Sequence, residues 1–212
     1  MATAAGIATI TYRLSSTCYV TKSVTVYPNP VAIVGPSVLC QGDSLVLSAP
    51  GGGTWMSATP AVGTISTSGV LAGTGAGTIV VTYTAPTGCY VTRVFTVNGA
   101  PSAIAGNRNI CAGTTSLLTS SPAGGTWTSS NPGVVTISGS VGWVSALVGG
   151  ATATITYTSG VGCRTTAEVT THAIPMVIVS SGELCVGGAV NMIGLGGGTW
   201  SSSNEAIGTV SA

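Results

Sequence analysis

The sequence predicts an all-β chain of tandem sandwich modules, with half a module at each end. Three observations carry this. First, Thr78 to Tyr83 and Val91 to Val97 alternate β-branched and aromatic residues with a two-residue period, which fits half-buried pleated strands and no helix. Second, turn residues interrupt such runs every 8 to 16 residues, the cadence of a small β-sandwich. Third, the pattern repeats. Gly-Thr-Trp recurs at 53–55, 125–127 and 198–200, and Tyr12, Tyr83 and Tyr157 each stand six residues before Cys18, Cys89 and Cys163. Those cysteines are 71 and 74 residues apart, giving a period near 72. A tandem array of one supersecondary unit follows.

Taken in order, residues 1–34 carry a Tyr/Cys pair with no Gly-Thr-Trp ahead of it. They read as the back half of a module, with strands around Ile7 to Tyr12 and Tyr19 to Val26. Residues 35–105 form a whole module, with strands expected at Ser44 to Ser48, Gly53 to Met56, Val62 to Ser66, Gly77 to Thr84 and Tyr90 to Val97. Turns are expected at Gln41 to Asp43, Ala49 to Gly52, Ser57 to Pro60, Thr67 to Gly69 and Ala85 to Gly88. Residues 106–179 repeat that module. Residues 180–212 read as the front half of one, with strands up to Thr209-Val210-Ser211. Pro30, Pro101 and Pro175 fall just after the last strand of each copy, where proline stiffens a junction and cannot belong to a central strand. Glycines at 51–53 and 196–198 read as sheet-corner turns, since strands and not helices follow them. Met1 aligns with Ala72 and Ala146, which predicts an internal residue and an array continuing beyond this chain.

Composition excludes several classes of function. Only 4% of the 212 residues are charged and the net charge is +1. Arg13, Lys22, Arg93, Arg108 and Arg164 stand singly, so the basic stripe that phosphate needs is absent and no nucleic-acid partner is expected. Mean hydropathy is +0.58, yet no run approaches the roughly 18 apolar residues of a spanning helix, so no membrane insertion is expected. Asp43, Glu168, Glu183 and Glu205 are too dispersed for a paired-carboxylate site or a calcium cage. His172 is the sole histidine and sits at the junction position held by Tyr27 and Asn98, where a solvent-facing role is expected. One histidine without an orienting partner makes no nucleophile–base pair. No catalytic residue, metal site or cofactor is assigned.

Gly-Gly-Thr-Trp, followed by Ser-Ser-Asn-Pro at 129–132 or Ser-Ser-Asn-Glu at 202–205, Val-x-Thr-Ile-Ser and Ala-Thr-Ile-Thr-Tyr, resembles the bacterial immunoglobulin-like group 2 module. Such modules occur in tandem in large secreted adhesins and surface fibres, including those of gliding Bacteroidetes. The resemblance spans essentially the whole chain. It implies an extracellular, non-catalytic seven-stranded sandwich, and the paired cysteines and split end modules depart from the usual pattern. On this frame Trp55, Trp127 and Trp200 fall on strand C, where an aromatic packs between the sheets; the competing reading is a sugar-stacking platform. Trp143 has no tryptophan counterpart and lies in the insertion-bearing stretch Ser138 to Ser145, so it is expected to be exposed, as a lateral contact between fibres or a ligand patch. Asp43-Ser44-Leu45 resembles the short O-glycosylation signal of Bacteroidetes.

The six cysteines fall into two classes, Cys18, Cys89 and Cys163 at the start of the last strand, and Cys40, Cys111 and Cys185 before the second. An even count on a secreted fold points to disulfides. In an immunoglobulin-like sandwich the F–G and A–B turns lie at opposite ends, roughly 25 Å apart for strands of about eight residues, whereas a disulfide needs Cα atoms within about 7 Å. End-to-end stacking would pair Cys40 with Cys163, Cys111 with Cys18 of the following chain, and Cys185 with its Cys89. The alternative, Cys40 with Cys89 and Cys111 with Cys163 inside each module, stays open at this point.

The function expected is therefore structural: an extracellular or cell-surface fibre or adhesin shaft. Its partner would be itself, as a head-to-tail homopolymer in which residues 180–212 of one chain and 1–34 of the next complete one sandwich. Two readings compete with it. One is a glycan- or surface-binding array, whose candidate aromatics are Trp143, Tyr19 and Tyr90; the other is an accessory region of a larger secreted protein.

Overall fold

The computed structural model describes residues 1–175, 182–193 and 198–211, and all sixteen elements among them are strands. β1 (Gly6–Arg13) and β2 (Tyr19–Val26) make a two-stranded antiparallel hairpin, registered from Gly6 opposite Val26 to Arg13 opposite Tyr19. The next seven strands are β3 (Val38–Cys40), β4 (Ser44–Val46), β5 (Thr54–Ser57), β6 (Gly63–Ile65), β7 (Val70–Gly73), β8 (Gly77–Thr84) and β9 (Tyr90–Asn98). They form two sheets, ordered β3-β9-β8-β5 and β4-β7-β6. The remaining seven, β10 (Asn109–Cys111), β11 (Thr115–Leu117), β12 (Thr126–Ser129), β13 (Val135–Ile137), β14 (Trp143–Ala146), β15 (Thr152–Thr158) and β16 (Arg164–His172), repeat that order as β10-β16-β15-β12 and β11-β14-β13.

In both modules the first strand changes sheets. Val34 makes an isolated antiparallel bridge to Ser48, just past the end of β4, and β3 then runs parallel to β9 in the larger sheet; Ala105, Thr119, β10 and β16 repeat the arrangement. Seven strands in this order are an immunoglobulin-like sandwich, with β4 as strand B, β5 as C, β8 as F and β9 as G. The alternation read from the sequence sets the faces: Ile79, Val81 and Tyr83 of β8 and Phe95 and Val97 of β9 are buried, while Val80 and Val94 between them are exposed. Ile155, Tyr157 and Val169 hold the same places in the second module. Each such aliphatic burial stabilises by about 1.5–3 kcal/mol.

Two short strands, Val38–Cys40 and Val70–Gly73, were not expected from the pattern. The first is held by its ladder to the long β9 and the second by ladders to β4 and β6 on its two sides, not by a periodicity of their own. At the C-terminal side, the expected strand through Thr209-Val210-Ser211 is corrected. No strand forms there, because a strand with no neighbour has no ladder to stabilise it. The expected turn glycines Gly196 and Gly197 lie outside the described residues.

By contacts the chain divides into two compact units. The first is Met1–Pro101 with the turn Val161–Cys163; the second is Ser102–Gly160 with Arg164–Ala212.

Candidate functional site

The repeated motifs turn out to be two halves of one lock. In the first module the Tyr83 hydroxyl accepts a hydrogen bond from the Gly53 amide at 2.8 Å and donates to the Pro50 carbonyl at 3.0 Å. Tyr157 does the same in the second, accepting from the Gly125 amide at 2.9 Å and donating to the Pro122 carbonyl. The turn between strands B and C is thereby fastened to strand F. Glycine is required at the contact, since a Cβ on Gly53 would lie 2.1 Å from the Thr84 carbonyl oxygen and one on Gly125 2.3 Å from that of Thr158. The neighbouring tryptophan completes the lock: Trp55 packs on Tyr83 with ring centroids 4.8 Å apart, and Trp127 on Tyr157 at 4.6 Å, both tilted.

Trp127 is buried, with 6% of its surface exposed. Trp55 is corrected to half-buried, packed at the edge of the core. The cause is local. The turn 138–142 is one residue longer than its counterpart 66–69, and it laps over β12, where the Trp127 amide donates to the Gly139 carbonyl at 3.0 Å. Trp200 is likewise half-buried. Trp143 begins β14 opposite Leu117 and is 50% exposed, beside exposed Val141. His172 ends β16 and is exposed.

The hairpin β1–β2 carries half of the lock and none of its cover. Tyr12 matches Tyr83 yet is 66% exposed, and Ile10, matching the fully buried Val81, is 58% exposed. Register places Ala8 opposite Val24, Ile10 opposite Lys22 and Tyr12 opposite Val20. Opposed residues in an antiparallel pair share a face, so these six form one largely apolar face that in the complete modules is core. Even the cation is repeated. Arg93 donates to the Ile33 carbonyl at 2.9 Å and lies 5.1 Å over the Phe95 ring, and Lys22 stands at its place in the hairpin.

Among the described residues one disulfide forms, Cys40 to Cys163, with Cα atoms 5.6 Å apart and a sequence separation of 123. Of the two pairing schemes the sequence left open, this is the one that links successive copies. The within-module pairs Cys40–Cys89 and Cys111–Cys163 are excluded by it. Cys18, Cys89, Cys111 and Cys185 are free thiols. Cys40 ends β3 opposite Asn98 of β9, and Cys163 Sγ lies 4.0 Å from the Asn98 carbonyl oxygen.

Other concave or polar features offer little chemistry. A cavity of about 520 Å³ is open to solvent and lined by Ala32 to Gly35 and Val91 to Arg93; its one charged group, Arg93, is already engaged. Among the described residues no cluster of His, Cys, Asp and Glu could hold a metal ion, and no helix is long and apolar enough to cross a membrane.

No family model and no curated protein matches the chain. Among solved structures it is similar to the C-terminal 282-residue fragment of intimin in complex with the intimin-binding domain of the translocated intimin receptor, at 16% identity and TM-score 0.48 over 68% of this chain. That match spans 64% of the intimin fragment's own length. An intimin mutant of EHEC O157:H7 matches at 20% identity and TM-score 0.30, over 38% of this chain and 50% of that one. Domains 4 and 5 of the S-layer protein SbsC match at 20% identity and TM-score 0.28, over 61% of this chain and 82% of that one. The fold stands on the strand order itself: tandem immunoglobulin-like β-sandwiches.

Proposed function

We propose that the chain is a non-enzymatic structural subunit of an extracellular or cell-surface fibre. It assembles head-to-tail when residues 180–212 of one copy and 1–34 of the next close a single sandwich, and disulfides reinforce it. The observation that carries this reading is the bare face of the hairpin β1–β2, where Ala8, Ile10, Tyr12 and Val24 lie uncovered at positions that are core in both complete modules. An apolar sheet face of this kind with an open strand edge is what strand complementation between subunits covers. The front half supplies the matching Gly198-Thr199-Trp200 and the exposed apolar side chains Leu184, Ile193 and Ile207. A head-to-tail contact is heterologous and gives an open filament unless its rotation closes a ring. The low count of five Lys and Arg residues leaves few tryptic sites, which suits exposed material.

Intact mass of the native material under reducing, denaturing conditions tests the assembly. A species near 20.5 kDa together with filaments by electron microscopy is expected, and a much larger polypeptide would replace non-covalent completion with one continuous chain. Deleting residues 1–34 is expected to abolish filaments, and normal filaments from that truncation would overturn the reading.

The exposed ring of Trp143, beside Leu117 and Val141, favours one second reading, a glycan or surface ligand on the outer face of β14. Binding to a glycan array that is lost in Trp143→Ala, with filaments intact, would support it.

A further inference from the structure

We infer that the free edge of β2 is the docking site for Glu183-Leu184-Cys185 of a second copy, which adds there as a parallel strand and closes a Cys89–Cys185 disulfide between chains. The inference rests on the head-to-tail reading and adds to it the contact residues, the strand direction and the covalent bond.

Both complete modules supply the template. The last strand of each is flanked on its outer edge by a three-residue parallel strand: Val38, Leu39 and Cys40 lie opposite Thr96, Val97 and Asn98, and Asn109, Ile110 and Cys111 opposite Thr170, Thr171 and His172. The middle residue of each short strand, Leu39 or Ile110, is buried. β2 is the same last strand, and among the described residues it pairs only with β1. By the repeat, the residues awaiting a partner on it are Thr25, Val26 and Tyr27. The sequence holds one more copy of the short strand, Glu183-Leu184-Cys185, with Leu184 exposed and the cysteine third, as in the other two.

The sulfur positions point the same way independently of sequence. Where the bond has formed, Cys163 Sγ lies 4.0 Å from the carbonyl oxygen of Asn98, the residue opposite Cys40. One repeat earlier, Cys89 Sγ lies 3.9 Å from the carbonyl oxygen of Tyr27, and Tyr27 matches Asn98. Cys89 is therefore already in the place that Cys163 occupies, and what it lacks is the strand bearing the other sulfur. A second copy docked in the template register sets Cys185 opposite Tyr27 and hence against Cys89. Closing the bond follows thiol–disulfide exchange. The Cys89 and Cys185 thiols lose two protons and two electrons, one S–S bond forms, and a disulfide oxidant such as oxidised glutathione is cleaved to two thiols that take up both.

The test uses the full chain with Cys18→Ser and Cys111→Ser, which leaves Cys89 and Cys185 as its free thiols. Equal amounts of 14N- and 15N-labelled protein are mixed, reduced mildly, oxidised with glutathione disulfide and digested with trypsin and chymotrypsin. The expected result is a ladder on non-reducing electrophoresis and Cys89–Cys185 peptides, about half of them pairing a light with a heavy chain. Adding Cys185→Ser should remove the ladder. Leu184→Asp, at an exposed position that leaves the modules folded, should remove most of it with both thiols present, whereas Glu183→Gln should not. Linked peptides that are isotopically pure would overturn the second-copy assignment, and Cys89–Cys89 or Cys185–Cys185 peptides would overturn the register. Electron microscopy of the same samples separates the two levels: filaments without any Cys89–Cys185 peptide sink this pairing and leave head-to-tail completion standing, while neither filaments nor peptide sinks both.

Discussion

The hairpins β8–β9 and β1–β2 are the same piece of chain in two surroundings. Each starts at a glycine, carries an inward tyrosine near the end of its first strand and a cysteine just before its second, and pairs in the same register. Val81 of the first is fully buried and Ile10 of the second is 58% exposed. Nothing in the hairpin itself decides this. The strands that flank and cover it do, so the apolar face is written locally while its burial is supplied by whatever stretch of the array lies opposite.

That contrast can be broken at once by a charge. Val81→Asp should unfold the first module, at a cost on the order of 5 kcal/mol or more, since it sets an unpaired carboxylate in a closed core. Ile10→Asp should leave both modules folded and abolish assembly. Circular dichroism melts with electron microscopy read the two effects separately, and equal destabilisation by both changes would mean that the β1–β2 face is already covered.

Cys163→Ser should cost next most. A cross-link spanning 123 residues is worth about 5 kcal/mol by chain entropy, so a marked fall in the denaturant midpoint is expected, with reductant no longer having any further effect. Trp127→Ala should cost roughly 3–5 kcal/mol by opening a cavity, and Trp55→Ala distinctly less because Trp55 is only half-buried; equal losses would deny the part played by the longer turn over Trp127. The smallest effect concerns the lock. Tyr157→Phe leaves the Pro122 carbonyl and Gly125 amide without their partner and should cost about 1–3 kcal/mol, whereas Tyr12→Phe should cost nothing in the isolated chain.

Legibility of the chain followed length and periodicity. Gly77–Thr84 was readable to the residue because eight alternating positions repeat one pattern. Val38–Cys40 and Val70–Gly73 were not, since three or four residues next to glycine and proline carry no period, and their strand character comes from the neighbour they pair with. The tyrosine–cysteine spacing was visible as a motif, but its meaning was not. That the Tyr83 hydroxyl meets the Gly53 amide depends on strands B, C and F coming together, which a local reading cannot deliver. The Cys40–Cys163 link was half legible: on the immunoglobulin-like frame the distance between the two turns favoured a pairing across modules, the within-module alternative stayed open, and the structure selects the former.

That link also fixes how a pull along the chain would be carried. Tension entering from the N-terminal side reaches Cys40, crosses the sulfur–sulfur bond to Cys163 and leaves toward the C-terminus, bypassing residues 41–162. Should either sandwich open under force, those residues release no length into the line, and roughly 400 Å of extended chain, at about 3.3–3.6 Å per residue, stays locked in a side loop. A fibre tied in this way at each repeat would resist stretching by covalent bonds and would use its folded cores to hold shape.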